Sequence, residues 1–372
     1  MIKKTGYVLF AFFFYLFRLF PINRQTVFFV ATHDDSKEGN IGIVADAIKN
    51  QFPSMKMVYL TKKDGIRRPF SFFFGKAFHM ATASVIFLDN EFMPMAYMKF
   101  NKNVKVVQLW HGTGTIKKFG LDSDTGEVKR LAKKANENIT HLIVSSECTA
   151  KWYKSAFGVD DEKIFPIGLP RTDLMLDDSK RQKMQERFFE QYPDLRGKRI
   201  TLYAPTFRDS QVENPEIGLD FDSLNRCMGE NEVLLIRLHP HVAEHCPAGI
   251  WDMYPDKIRN VSDYPGVATL LSVADQLITD YSSIIYEYCL LKRKMIFYAY
   301  DYEVFQKDGR NFYEDYEKFV PGMIVYTQPE LEKIWHTAYE DDSQREQFCG
   351  RIFKYQDKNA VNRLLCLIFD KK

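Results

Sequence analysis

The chain has no G-x-G-x-x-G, no G-x-x-x-x-G-K-[ST], no C-x-x-C pair and no apolar run long enough to span a bilayer. The first two absences remove the dinucleotide fingerprint and the P-loop, and with them the simplest dehydrogenase and NTPase readings. Six cysteines, at positions 148, 227, 246, 289, 349 and 366, have no histidine partner at zinc-site spacing. Neither a disulfide frame nor a structural metal is indicated, no cofactor is expected, and the pattern suits a reducing compartment. An excess of one charge sign is missing too: 51 Lys and Arg stand against 49 Asp and Glu, a formal net charge of +2. The basic residues nevertheless outnumber the acidic ones before residue 80, so that half could face anionic lipid or phosphate. No nucleic-acid partner is expected, and there is no internal repeat or low-complexity tract.

What is present is a folded, two-domain composition. At 372 residues and 45% hydrophobic content the chain exceeds the usual size of one core. Near its start, YVLFAFFFYLF covers Tyr7 to Phe17 and is followed by Arg18-Leu-Phe-Pro-Ile-Asn, which offers no small-residue cleavage site. A dozen helical residues cover roughly 18 Å against a hydrocarbon core of about 30 Å, too short to span comfortably. Two readings stand: a buried first helix, or shallow insertion into the membrane surface between Lys3, Lys4, Arg18 and Arg24. The number of aromatic side chains favours insertion.

Short β-branched or aromatic runs alternate with helical patterns, which implies parallel strands joined by crossover helices. Residues 26–32, 56–61, 84–88, 104–110 and 141–145 read as one series of strands. Residues 199–204, 233–238, 276–279 and 295–298 read as a second, after a charged helical stretch. The expected organisation is an apolar segment over 1–24, two Rossmann-like lobes over 25–175 and 176–330, and helices over 331–372 packing across the lobes. In open α/β sheets ligands bind beyond the carboxyl ends of the strands, so four such ends are expected to converge on an interlobe active-site cleft.

The chemically loaded residues do follow strands. His111, in Gln108-Leu-Trp-His-Gly-Thr-Gly, has the neutral-pH basicity to take a proton from a hydroxyl. Beside it, Gly112 admits close backbone approach, and Lys117 and Lys118 raise the local positive potential. Arg237 and His239 alternate along Arg237-Leu-His-Pro-His and so share a face suited to a pyrophosphate. Thr279, Asp280, Ser282, Ser283 and Glu287 fall on a strand, turn and helix start, where N–H groups and hydroxyls hold phosphate and Glu287 could reach a ribose. Thr206 and Arg208, in Ala204-Pro-Thr-Phe-Arg-Asp, and Arg171, in Gly168-Leu-Pro-Arg-Thr-Asp, are further phosphate candidates. Each also has an ordinary structural explanation: a turn-bonding histidine, a helix cap, or a salt bridge to Asp209 or Asp173. No acidic pair marks a magnesium site, so metal use stays open.

Taken in order, QLWHGTG, GLPRTD, YAPTFRD, RLHPH and TDYSSIIYEY resemble the CDP-glycerol glycerophosphotransferase family of wall teichoic-acid synthesis, over about residues 105–325. The resemblance implies a GT-B-like fold at the cytoplasmic face of the bacterial membrane, peripheral or monotopic. It also implies transfer of glycerol phosphate from CDP-glycerol to an undecaprenyl-diphosphate-linked acceptor, with release of CMP. The family's W-H-G histidine falls on His111 as base for the acceptor hydroxyl, and its R-x-H-P histidine on His239 as donor-phosphate ligand. Polymerases of the family carry W-H-G-T-P-L-K-K where this chain has WHGTGTIKKFG. Its size and apolar start look more like the primase type. Chain extension, a ribitol donor, a sugar glycosyltransferase of the same fold and a non-catalytic binding protein are the competing readings.

Overall fold

The computed structural model describes residues 2–64, 69–206, 208, 217–238, 240–246, 253–308, 311–338 and 342–369. It separates into two compact units. One comprises Met1–Gly114, Lys118–Asp173 and Ile352–Lys372, the other Thr115–Lys117 and Leu174–Arg351.

The first unit is built on six parallel strands: β1 (Asn23–Ala31), β2 (Lys56–Thr61), β3 (Ala83–Leu88), β4 (Lys105–Gln108), β5 (His141–Val144) and β6 (Ile164–Pro166). Their order is β2-β1-β3-β4-β5-β6. From Thr26 to Ala31 every residue of β1 is buried, the continuous burial expected of a strand covered on both faces. The order reverses between β1 and β3, and that is where an open α/β sheet leaves a crevice for ligands.

The second unit repeats the architecture with β7 (Arg199–Tyr203), β8 (Glu232–Ile236), β9 (Ile258–Asn260), β10 (Gln276–Thr279), β11 (Lys294–Tyr298) and β12 (Met323–Val325). The order is β12-β11-β10-β7-β8-β9, so the reversal lies between β7 and β10. The α/β expectation holds: two parallel, doubly wound sheets. The strands read from sequence are all there. The three that the pattern did not announce, β6, β9 and β12, are edge strands of three residues each, too short to show a period. The strand expected to reach Trp110 stops at Gln108, because Trp110 takes a left-handed backbone, φ 55.

The apolar start forms helix α1 (Ile2–Phe17). Phe10, Ala11 and Phe14 enter the core of the first unit with Phe28, Val30, Met80 and Ile86. Val8, Leu9, Phe12, Tyr15 and Leu16 are exposed on the remaining surface. Among the described residues no helix is long and apolar enough to cross a membrane. At the far end of the chain, the backbone N–H groups of Ala360 and Val361 donate to the Asp173 carboxylate at 3.0 Å each. Asp173 thereby caps helix Ala360–Phe369.

Candidate active site

In the first unit the strand ends at the topological reversal are tied together by one carboxylate. Asp89, directly after β3 and 2% exposed, accepts the backbone N–H groups of Thr32 (2.9 Å), His33 (3.1 Å) and Asp34 (2.9 Å), which follow β1. Burial pushes this carboxyl up to about 6, against the pull of those three hydrogen bonds. The loop it holds packs tightly against helix α2 (Asn40–Gln51): a Cβ on Gly42 would sit 2.3 Å from the Ser36 carbonyl oxygen.

The segment after β4 is fixed with equal care. Trp110 donates its N–H to Gln108 Oε1 at 2.9 Å, and its ring stacks on Phe119 and meets Phe157 edge-on. The buried Asn40 amide donates to the Trp110 carbonyl at 2.9 Å and accepts the Arg171 N–H at 3.0 Å. Tyr153 donates to the Gly112 carbonyl at 2.7 Å. These contacts hold a non-glycine residue in a left-handed conformation, a costly geometry found where surrounding structure over-determines it.

His111 emerges from this frame partly buried. Its Nδ1 lies 3.2 Å from the Asp89 carbonyl oxygen. A carbonyl only accepts, so Nδ1 carries the proton and Nε2 of the neutral ring is the basic nitrogen. Burial lowers the ring's proton affinity well below the ordinary histidine range; His33 adds to this, and Arg171 and Lys62 contribute, against the Asp89 hydrogen bond. His33, exposed at the end of β1, stacks on His111 with centroids 3.7 Å apart and planes 11° from parallel. Arg171 donates a guanidinium N–H to the His111 carbonyl, so this expected phosphate ligand braces the histidine.

Replacing Asn40 by alanine removes its hydrogen bonds to the Leu109 and Trp110 carbonyls and from the Arg171 N–H at a buried position, at a cost of about 1–3 kcal/mol. Turnover should fall by roughly tenfold to a hundredfold through misplacement of His111. Thermal unfolding alongside steady-state kinetics checks both; a KM change without a kcat change would contradict the positioning role.

The second unit uses the same device. Asp280, after β10 and 1% exposed, accepts the N–H of Thr206, after β7, at 2.7 Å. Its other oxygen is 2.8 Å from Arg208 Nη1. Arg208 also grips Asp301 through Nε and Nη2 at 2.7 and 2.8 Å, and it donates to the Thr206 carbonyl. Thr279 is buried and donates to the Ala204 carbonyl at 2.7 Å. Glu287 is buried within the short helix Ile285–Tyr288. Thr279, Asp280, Arg208 and Glu287 were expected to face the donor. Here Thr279, Asp280 and Arg208 are tied up in hydrogen bonds and ion pairs between strand ends, as buried polar and charged groups require, and Glu287 is buried in its helix.

Ser282 and Ser283 are half-buried on the turn before that helix. Thr206 Oγ1 is buried and makes no hydrogen bond within the described residues. Arg237, half-buried after β8, donates to the Tyr264 carbonyl at 2.6 Å. Lys117 and Lys118 are half-buried, with Lys117 Nζ 5.8 Å from the Phe305 ring centre. His239 and Asp209 lie outside the described residues. Among the described residues no group of three His, Cys, Asp or Glu side chains is placed to hold a metal ion.

Sequence reasoning missed His33, Asp89, Asn40 and Asp301. His33, Asp89 and Asp301 carry the same signal that singled out His111, a polar residue just past an apolar strand. Asn40, at the start of a helix, had none.

The family model for CDP-glycerol:poly(glycerophosphate) glycerophosphotransferase matches residues 11–370. The teichoic acid poly(ribitol-phosphate) polymerase of Bacillus spizizenii is 34% identical over 372 residues, covering 98% of this chain but 59% of that protein. This chain thus spans less than two thirds of that polymerase. The teichoic acid glycerol-phosphate primase of Bacillus subtilis is 31% identical over 330 residues, covering 87% of this chain and 82% of the primase. A solved structure of the wall teichoic acid polymerase TagF, a variant soaked with CDPG, matches with a TM-score of 0.84 at 21% identity, over 99% of this chain and 94% of that one. At that identity the likeness speaks for the fold.

Proposed function

Because this chain belongs to the CDP-glycerol:poly(glycerophosphate) glycerophosphotransferase family of teichoic acid synthesis, we propose that it transfers sn-glycerol 3-phosphate from CDP-glycerol to the undecaprenyl-diphosphate disaccharide and releases CMP. We read its two units as the halves of a GT-B-like fold. The observation that carries the reading is the orientation of His111, a neutral imidazole whose Nδ1 proton is committed to a carbonyl and whose Nε2 is left basic. The acceptor hydroxyl gives its proton to Nε2 as its oxygen bonds to the β-phosphorus of the donor. The bond from that phosphorus to the bridging oxygen breaks, and CMP leaves with that oxygen.

Phosphate oxygens are held by Ser282 and Ser283 at the reversal of the second sheet and by Arg237 after β8, with His239 assigned to the donor phosphates from its R-x-H-P motif alone. Ser282 and Ser283 are half-buried on the turn that follows β10, where hydrogen bonds to developing charge are most effective.

A second reading, chain extension with a ribitol- or glycerol-phosphate donor, is supported by the higher identity to a ribitol-phosphate polymerase. Radiolabelled CDP-glycerol and, separately, CDP-ribitol supplied with the lipid-linked disaccharide distinguish them. One glycerol phosphate per acceptor is expected. A product ladder would favour extension, label from CDP-ribitol alone would replace the donor, and turnover of a UDP-sugar in place of either would sink the reading.

The exposed apolar side chains at the start of the chain and at Phe70 support a place on the cytoplasmic membrane surface. Phe12 on α1 is 61% exposed, Leu19 just past it 83% and Phe70 81%, and Arg18 and Arg24 are exposed too. Exposed apolar side chains of this kind with basic neighbours in sequence suit an anionic lipid surface. Phe12→Glu combined with Leu19→Glu should weaken binding to anionic vesicles by at least about tenfold, measured by co-sedimentation. Unchanged binding would contradict the assignment.

A further inference from the structure

We propose that His33 is a positioning residue for the transfer step, one that with Asp89 holds His111 as a neutral ring presenting Nε2 to the acceptor hydroxyl. The inference rests on the reading of His111 as the base and adds a residue that the family motifs do not include.

The geometry begins with Asp89. Its carbonyl takes the His111 Nδ1 proton at 3.2 Å, and its carboxylate takes the backbone N–H of His33 at 3.1 Å. One residue thus fixes both the hydrogen bond that sets the tautomer of His111 and the backbone that carries the second imidazole. The rings then lie face to face at 3.7 Å, 11° from parallel. Trp110 meets His111 as well, tilted at 4.0 Å, so the ring cannot turn without opening a packed contact.

Two parallel imidazoles at this distance cannot both be cationic at tolerable cost, because like charges a few ångströms apart repel strongly away from bulk water. A proton on the pair sits more cheaply on exposed His33, where water solvates it, than on partly buried His111. Among the described residues Arg171 and Lys62 also act on His111, both positive and both opposed to a proton on this ring. The Asp89 carboxylate is turned to the loop N–H groups, and Asp34 lies on the loop beyond. His111 therefore stays neutral at pH values where an ordinary histidine is half protonated.

The test measures kcat and KM between about pH 5.5 and 8.5, bracketing ordinary imidazole titration, for the wild type, His33→Ala, His33→Phe and His111→Ala. His33→Ala removes the stack and the second ring. Its kcat at alkaline pH should fall by about tenfold through loss of orientation, with KM for CDP-glycerol little changed. His33→Phe keeps a flat ring without a titrating group and should lose less. Both should move the acid limb to higher pH, because the stacked imidazole that opposes protonation of His111 has gone. Relative to about pH 8, the rate at about pH 6 should drop by up to about fourfold, the bound set by an ordinary histidine.

If both His33 variants keep the wild-type kcat and acid limb while His111→Ala is inactive, the positioning role is wrong and the base stands. If His111→Ala is active, the reading of the base has failed instead. A fall in kcat for both variants with an unmoved acid limb would reduce His33 to packing and overturn the inference.

Discussion

Arg208→Ala is expected to destabilise the second unit by about 3–5 kcal/mol, the range for removing one partner of a buried ion pair. The Arg208 side chain is 8% exposed, facing Asp280 at 2% and Asp301 at 19%. Burial works against its charge, but Asp280 and then Asp301 outweigh that and hold its pKa above the ordinary arginine value. The rings of Tyr281, Tyr300 and Phe305 surround it at 5.2, 5.7 and 5.0 Å from the guanidinium carbon. Without the guanidinium, two neighbouring carboxylates remain in a place that cannot solvate them. Arg208→Lys should rescue little, since an ammonium cannot grip Asp301 through two parallel N–H groups while reaching Asp280.

Calorimetry should show an early transition of one unit in the variant, and a melting curve matching the wild type would contradict the role of this ion-pair network.

His111→Ala is expected to lower kcat by about a hundredfold to ten-thousandfold, the usual contribution of a positioned general base. KM for CDP-glycerol should change little, because in the proposed mechanism the imidazole acts on the acceptor hydroxyl. The expected pH dependence has a definite direction. Burial first and His33 second keep the wild-type ring unprotonated well below the ordinary histidine range, so the wild-type rate should stay level down to about pH 6 before falling. Initial rates with saturating acceptor check both statements.

Much of this was legible in the sequence, and the reasons differ by element. The central strands are runs of buried residues such as Val27–Val30 and Leu234–Ile236, and burial on both faces writes itself as continuous apolar sequence. Edge strands such as Ile164–Pro166 lack that constraint. The helix at the start was visible as an apolar run, but its two faces were not, because Phe12 on the surface and Phe10 in the core are the same residue type. His111 stood out by following a strand and preceding glycine. The residues that orient it did not: Asp89 acts through its own carbonyl and three distant N–H groups, Asn40 across 70 residues of chain, and neither pairing has a local spacing. Conversely, Arg208 looked like a phosphate ligand because a short polar motif does not reveal that Asp301, 93 residues on, occupies its guanidinium.

The central claim is that His111 performs proton transfer in a polyol-phosphate transfer and does not bind the donor. The direct measurement is a single-turnover experiment with CDP-glycerol and lipid-linked acceptor, paired with calorimetric binding of CDP-glycerol, for the wild type and His111→Ala. Donor affinity is expected within about threefold of wild type, less than a typical hydrogen bond is worth, and CMP release slowed by about a hundredfold or more. A variant that releases CMP at nearly the wild-type rate, or one that loses donor binding while its chemical step is unchanged, would contradict it.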